Sequence, residues 1–297
     1  MSIQATPKRV SKLKAVDPKA AEPSKPKVLI FGKPGVGKTW TSLDFPNVYY
    51  IDTEGGADME HYTDKLKASG GAYFGPDQGS LEFNSVIAEV QALATEDHAF
   101  KTLVIDSISK LYNIAAAEAA ERGGDDFGRD KKEANKPMRR LINWLNRLDM
   151  NVILIAHEKP MWGGSGSDRA VIGETFDCYD KLEYELHLCL QIAKQGTSRK
   201  AKVKKSRLTG FPDADTFDWS YGEFAKRYGK DIIEKAGKSI VLASAEQVSE
   251  VKRLVDLLKV SEDDLAKAFT KYGVAAFEEM DSDTIDKVIT GLRSKLK

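Results

Sequence analysis

From Lys27 onward, short apolar runs alternate with longer amphipathic stretches. "VLIFG" (28–32), "VYYID" (48–52), "TLVID" (102–106) and "VILIA" (152–156) are almost unbroken in apolar side chains. Strands buried on both faces of a parallel sheet read this way. Helical patterns lie between them. Residues 81–95 carry Leu81, Val86, Ile87, Val90 and Leu93, residues 107–121 are alanine-rich, and residues 138–148 put Leu141, Ile142, Leu145 and Leu148 on one face. Strands that alternate with helices need crossovers, so the pattern predicts an α/β fold with a mostly parallel sheet.

After about residue 182 the rhythm changes. "YELHLCLQIA" (184–193) and "AKVKKSRLTG" (201–210) predict two strands joined by a turn at 195–200. The last 54 residues predict a separate bundle of three short helices. Ser244 and Gln247 form a capping box before Val248, Val251, Val255 and Leu258; Ser261 caps a helix that stops at Gly273; a third begins near Asp281. The expected division is a disordered basic tail at 1–26, a core at 27–243 and a helical module at 244–297. No internal repeat is present.

Composition narrows the class. With 41% hydrophobic and 30% charged residues in 297, the chain has the make-up of an ordinary globular protein. No apolar run approaches the roughly 18 residues of a membrane span, and the N-terminus lacks the apolar stretch of a secretory signal. Two cysteines without a Cys-x-x-Cys, and four scattered histidines, give neither a disulfide framework nor a zinc site. The expected setting is therefore a reducing cytoplasm. Net charge is zero, but residues 1–27 hold seven Lys/Arg against two acids, whereas 244–297 hold nine against eleven. A basic arm can add non-specific attraction to phosphates, or be only a solvated tail.

The candidate chemistry sits at the ends of the four strands. Gly32-Lys33-Pro34-Gly35-Val36-Gly37-Lys38-Thr39 fits G-x-x-x-x-G-K-[ST], with Trp40 next in the helix that follows. Such a loop wraps backbone N–H groups around phosphates; Lys38 is expected at the β- and γ-phosphates and Thr39 at Mg²⁺. Asp106, ending a strand, is a second Mg²⁺ candidate, or a cap for the helix beginning at Ser107. Glu54 after "YYIDT" is the first choice to orient a hydrolytic water, ahead of Asp52 and Glu158, unless it only occupies a solvated turn. His157 is expected either to report the γ-phosphate or to be structural.

These four strand ends, in this order, resemble the RecA-like ATPase core: phosphate loop, catalytic Glu, Asp-Ser, then a polar nucleotide sensor. His157 stands where bacterial RecA has glutamine. More closely, "FGKPGVGKT", "LVIDSIS", "ILIAHEKP" and "AKVKKSRLTG" resemble phage-encoded, AAA-family nucleotide-binding proteins linked to single-strand annealing and recombination. The resemblance covers about residues 27–220. It implies ATP with Mg²⁺, a DNA-stimulated ATPase, and single-stranded DNA held by two loops at 122–137 and 159–171. Phe127 and Trp162 would stack on bases, and Arg129, Lys131, Lys132, Lys159 and Arg169 would meet phosphates. Plain flexible loops are the other reading. The resemblance also implies that Lys205 and Arg207 reach the neighbouring subunit's nucleotide in a homo-oligomer; otherwise they decorate a basic hairpin edge.

The acidic C-terminal module, through "SAEQVSEVKRLVDLLKVSEDDLAKAF", resembles tails of phage recombination proteins. It is expected to meet a protein partner such as a single-strand-binding protein. The expected function is DNA annealing or recombination in the cytoplasm of a phage-infected bacterium. The alternative is an ATPase switch that loads or remodels a protein without touching DNA.

Overall fold

A computed structural model describes residues 24–56, 60–123, 129–165 and 168–296. Most of the expected N-terminal tail therefore lies outside the described residues. Its expected end at residue 26 is too late. Lys25 is buried, with Nζ donating to the carbonyls of Ile232 (2.7 Å), Ile233 (3.2 Å) and Lys235, and Tyr228 OH donates to Ser24 O at 2.5 Å. Lysine there serves as a donor to three carbonyls left over at a helix end, not as a solvated charge.

Among the described residues nine strands form one sheet. The strands are β1 (Lys27–Gly32), β2 (Val48–Asp52), β3 (Ala72–Phe74), β4 (Thr102–Asp106), β5 (Asn151–Gly163), β6 (Ala170–Asp177), β7 (Leu188–Gln195), β8 (Ser198–Ser206) and β9 (Thr216–Asp218). Their order is β3-β2-β4-β5-β1-β7-β8-β9, with β6 paired to the far part of β5. From β3 through β7 the pairs are parallel; the β5–β6, β7–β8 and β8–β9 pairs are antiparallel. The mostly parallel α/β expectation holds.

The apolar runs behave as their composition requires. All six residues of β1 and all five of β4 are buried. One face of the sheet packs Leu29, Leu103, Ile105 and Leu154 against α3 (Phe83–Thr95), α4 (Ile108–Gly123) and α5 (Arg129–Arg147). The other packs Val28, Ile30, Val104 and Ile155 with Phe45, Phe211 and Phe224. Either face buries its side chains at roughly 25 cal/mol per Å² of apolar surface, which makes the strand ends a rigid rim.

Both expected loops hold regular structure among their described residues. The resemblance makes 122–137 a DNA-binding loop, with glycines, cations and an aromatic in it. Instead α5 starts at Arg129 and carries Pro137 inside it. Ala134, Met138, Leu141, Ile142 and Leu145 form one buried stripe through the proline, and Tyr112 OH donates to Asn135 Oδ1 at 2.9 Å. Packing of that stripe outweighs the missing bond. Arg129, Lys131 and Lys132 therefore begin a helix, while Phe127 lies outside the described residues. Likewise 159–171 is mostly a hairpin. β5 continues through Lys159 and Trp162 to Gly163, and β6 returns from Ala170. The β7–β8 turn is also tighter than expected, with Gln195 opposite Ser198.

The C-terminal helices α9 (Ala245–Leu257), α10 (Glu262–Tyr272) and α11 (Ser282–Arg293) have their own core around Val251, Leu254, Met280 and Ile285. The short helices α6 (Leu182–Glu185), α7 (Tyr221–Tyr228) and α8 (Lys230–Glu234) precede them, after α1 (Lys38–Ser42) and α2 (Glu60–Ala68) near the start. Ser244, Ser261 and Asp281 each accept a backbone N–H as N-caps, and Gly273 ends α10 in the left-handed region. The module rests on the core through Arg140 Nη2 to Glu279 Oε1 (2.5 Å) and Gln91 Nε2 to Glu279 Oε1 (3.2 Å).

Candidate active site

Strand register brings the candidate chemistry to one rim. Gly32 is opposite His157 across β1–β5, and Asp52 is opposite Asp106 across β2–β4. In α/β sheets this carboxyl-side rim is where ligands bind. A cavity of about 590 Å³ opens there, lined by Gly32, Pro34, Gly35, Lys38, Thr39, Tyr50, Glu54, Tyr62, Asp106, His157 and Glu158 among others. Its size falls in the usual range of small-molecule sites, roughly 300–1,000 Å³.

The phosphate loop closes on itself. Lys38 Nζ donates to Gly32 O (2.7 Å) and Lys33 O (3.1 Å). Burial lowers the Lys38 pKa, opposed by the charges of Asp106, Glu158 and Glu54. A half-buried ammonium resting on its own loop's carbonyls is poised to exchange them for phosphate oxygens. Gly35 and Gly37 lie at φ 75° and 88°, where a side chain would be strained.

Thr39 Oγ1 donates to Asp106 Oδ2 at 2.5 Å, and Tyr50 OH donates to the same oxygen at 3.2 Å. Burial pushes the Asp106 carboxyl up to about 6, against those two hydrogen bonds, with the charges of Glu54 and Asp52 adding to the rise. A buried carboxylate and a threonine hydroxyl in contact, with no cation among the described side chains paired to the carboxylate, suit a hard divalent ion with oxygen ligands. Mg²⁺ fits this donor set, and Thr39 and Asp106 would hold it.

Beside them is a second cluster. Ser107 Oγ hydrogen-bonds Glu54 Oε1 and lies 3.3 Å from His157 Nε2, which is 3.1 Å from Glu54 Oε1. The Asp106–Ser107 peptide is cis. Asp52 is fully buried; its Oδ1 accepts the N–H groups of Glu54 (2.9 Å) and Gly55 (3.0 Å). It thus fixes the turn that presents Glu54 to the cavity. Glu158 Oε2 accepts from Gln191 Nε2 at 2.9 Å. Of the three acids considered for water positioning, Glu54 is the one free of a main-chain task and in contact with both Ser107 and His157.

Residues 24–212 match AAA_24, a family described as an AAA domain. The chain belongs to that family. In this AAA_24 chain β5 lies between the phosphate-loop strand β1 and the Asp106 strand β4, the arrangement of a RecA-like P-loop core. Folds of this kind generally bind a nucleotide with Mg²⁺. Among solved structures, the crystal structure of the RadB recombinase aligns with 67% of this chain and 90% of its own, at 19% identity and a TM-score of 0.42. No curated protein sequence matches the chain. Among the described residues no helix is long and apolar enough to cross a membrane.

The structure separates the remaining candidates. Trp40 does not line the cavity; its ring meets His61 and Tyr62, with Lys65 Nζ 3.8 Å from its centroid. Val36 is core, and Lys33 is exposed. Lys205 and Arg207 are at the opposite end of the sheet from the phosphate loop, because β8 runs antiparallel to β7 and sets Lys205 beside Cys189 near the start of that strand. There Lys205 Nζ donates to Leu186 O, and Arg207 Nη2 to Tyr184 O at 2.5 Å. Neither can serve the chain's own site. Lys159 is paired with Asp177 at 3.2 Å. Trp162 is 53% exposed, with the Arg169 guanidinium 5.1 Å from its ring centroid.

Sequence reasoning missed Tyr50 and Tyr62. Tyr50 was counted as one more apolar residue of a buried strand. Its position two before Asp52, on the same side of the strand, was the available signal. Nothing in the local sequence marks Tyr62.

Proposed function

We propose that the chain is an ATPase that hydrolyses ATP at this rim and grips single-stranded DNA with the β5–β6 hairpin. One observation carries the reading: β5 runs as one strand from His157, which lines the cavity, to Trp162, which lies just past a register shift and is exposed near the hairpin's tip. An exposed tryptophan beside Arg169 offers a base-stacking surface with a phosphate-seeking cation, worth about 1–3 kcal/mol per stacked base.

Within the site Lys38 and the loop's N–H groups hold the β- and γ-phosphates. Thr39 and Asp106 would hold Mg²⁺, which when bound would supply neutralising charge for the phosphates. Glu54, fixed by Asp52 and touched by Ser107 and His157, orients the attacking water and accepts its proton. His157 is placed to register the change when the terminal phosphate leaves and to pass it along β5. Lys205 and Arg207, set at the far end of the sheet, suit a head-to-tail homo-oligomer in which they complete the next subunit's site. Annealing or recombination of phage DNA is the output that fits these parts.

Hydrolysis measured with and without single-stranded DNA across a salt series tests the reading. Stimulation that fades with log[salt], as counterion release requires, supports it. A rate indifferent to DNA at every salt concentration overturns it in favour of a switch acting on a protein partner.

A further inference from the structure

The β7–β8 hairpin crowns the phosphate loop. A Cβ added to Gly32 would lie 2.2 Å from Ile192 O, in β7. A Cβ added to Gly37 would lie 2.0 Å from Arg199 Nε, 2.8 Å from its Cδ and 2.9 Å from its Cζ. So two glycines of the loop leave room for the hairpin. At Gly37 the guanidinium itself, as well as its stem, fills the space a side chain would take.

Arg199 is the second residue of β8, opposite Lys194, and is half-buried. Its backbone is held, since Trp219 N donates to Arg199 O at 2.8 Å. The next residue, Lys200, has a carboxylate partner in Asp218 at 2.6 Å. Arg199 has no side-chain hydrogen bond or ion pair among the described residues. Its guanidinium has five donors and no protein acceptor among the described residues, and it rests over Gly37, one residue before Lys38. The anion that would satisfy it is the one the loop is built to surround.

We propose that Arg199 is a polyphosphate-binding residue acting within its own subunit, contacting the phosphates of a nucleoside di- or triphosphate over Gly37. The proposal rests on the reading of Gly32–Thr39 as a nucleotide site. The planar fork of arginine suits phosphate oxygens, and its short distance from Gly37 means no large movement is needed.

The test is a binding titration of fluorescent ADP and of a non-hydrolysable ATP analogue to wild type, Arg199→Met and Arg199→Lys. Methionine keeps an apolar stem over Gly37 and removes the charge. The expected result is affinity lowered about tenfold or more in Arg199→Met for at least one nucleotide, with Arg199→Lys, which keeps the charge without the fork, falling between that variant and wild type. The nucleotide-free unfolding midpoint should not change, because the guanidinium has no partner to lose. Wild-type affinity for both nucleotides in Arg199→Met overturns the proposal and leaves the site reading intact. If wild type itself binds neither, both fall.

Discussion

His157 Nε2 stands 3.1 Å from Glu54 Oε1, and the Ser107 hydroxyl touches both. Three residues from the ends of three neighbouring strands thus share one hydrogen-bonded cluster beside the phosphate loop. Glu54→Gln keeps the size and one acceptor but cannot take a proton. Its hydrolysis rate should fall roughly 100-fold or more, as loss of a positioned base does, while nucleotide affinity stays near wild type. Equal loss of binding and turnover would assign Glu54 to binding instead. A steady-state assay paired with a binding titration separates the two.

Lys38→Ala removes the ammonium that now rests on Gly32 O and Lys33 O. Wild type should gain thermal stability from Mg·ATP by mass action, about 2.7 kcal/mol at a hundredfold excess over Kd. The variant should gain almost none. An undiminished shift in differential scanning fluorimetry would place the nucleotide elsewhere.

Trp162→Ala should weaken single-stranded DNA binding by about 1–3 kcal/mol and leave DNA-free hydrolysis unchanged. Fluorescence anisotropy with a labelled oligonucleotide reads this directly. Unaltered affinity would remove the hairpin tip from the DNA path.

The distance of Lys205 and Arg207 from their own phosphate loop gives a complementation test. A Lys205→Ala, Arg207→Ala double variant and Glu54→Gln should each be inactive alone. Mixed, they should recover part of the wild-type rate, because some interfaces then join an intact acid to intact cations. No recovery at any mixing ratio would argue that the two cations serve only the carbonyls of Leu186 and Tyr184.

Lys27 gives a pH prediction. Its Nζ is buried and donates to Leu148 O (2.6 Å) and Met150 O (2.8 Å), and burial lowers its pKa from 10.5 to about 7, opposed by the Asp149 charge. The unfolded chain therefore binds the extra proton between about pH 7 and 10.5. Stability from this residue is complete above the unfolded value and is lost as pH falls toward 7. Relative to Lys27→Met, wild type should gain up to about 1.4 kcal/mol per pH unit in that window, measured by urea melts. A pH-independent difference would show that the ammonium stays charged.

Much of the core was legible because its signals are local. A loop with fixed glycine spacing, an aspartate closing an apolar run and a serine three residues before a glutamine each carry their geometry with them. The helix over 129–137 is less legible: glycines and charges there resemble a DNA loop, and the buried stripe that carries Pro137 is defined only by packing against α3 and α4. Lys159, Trp162 and Arg169 were noticed as a cluster, but that they sit on a hydrogen-bonded hairpin depended on β6 returning in register, which no single segment encodes. Arg199 was invisible, since only the folded β7–β8 pair sets it over Gly37.

β5 runs for thirteen residues, buried through Ala156 and more open beyond, with a shift in its pairing to β6 between Met161 and Trp162. From His157 to Met161 the projecting half pairs with β6 without a shift, and the irregularity lies at its outer end. A pull on that inner stretch would strain the same ladder that seats His157, so the hairpin has the build of a lever whose fulcrum is the edge of the core, with its softest point just short of Trp162.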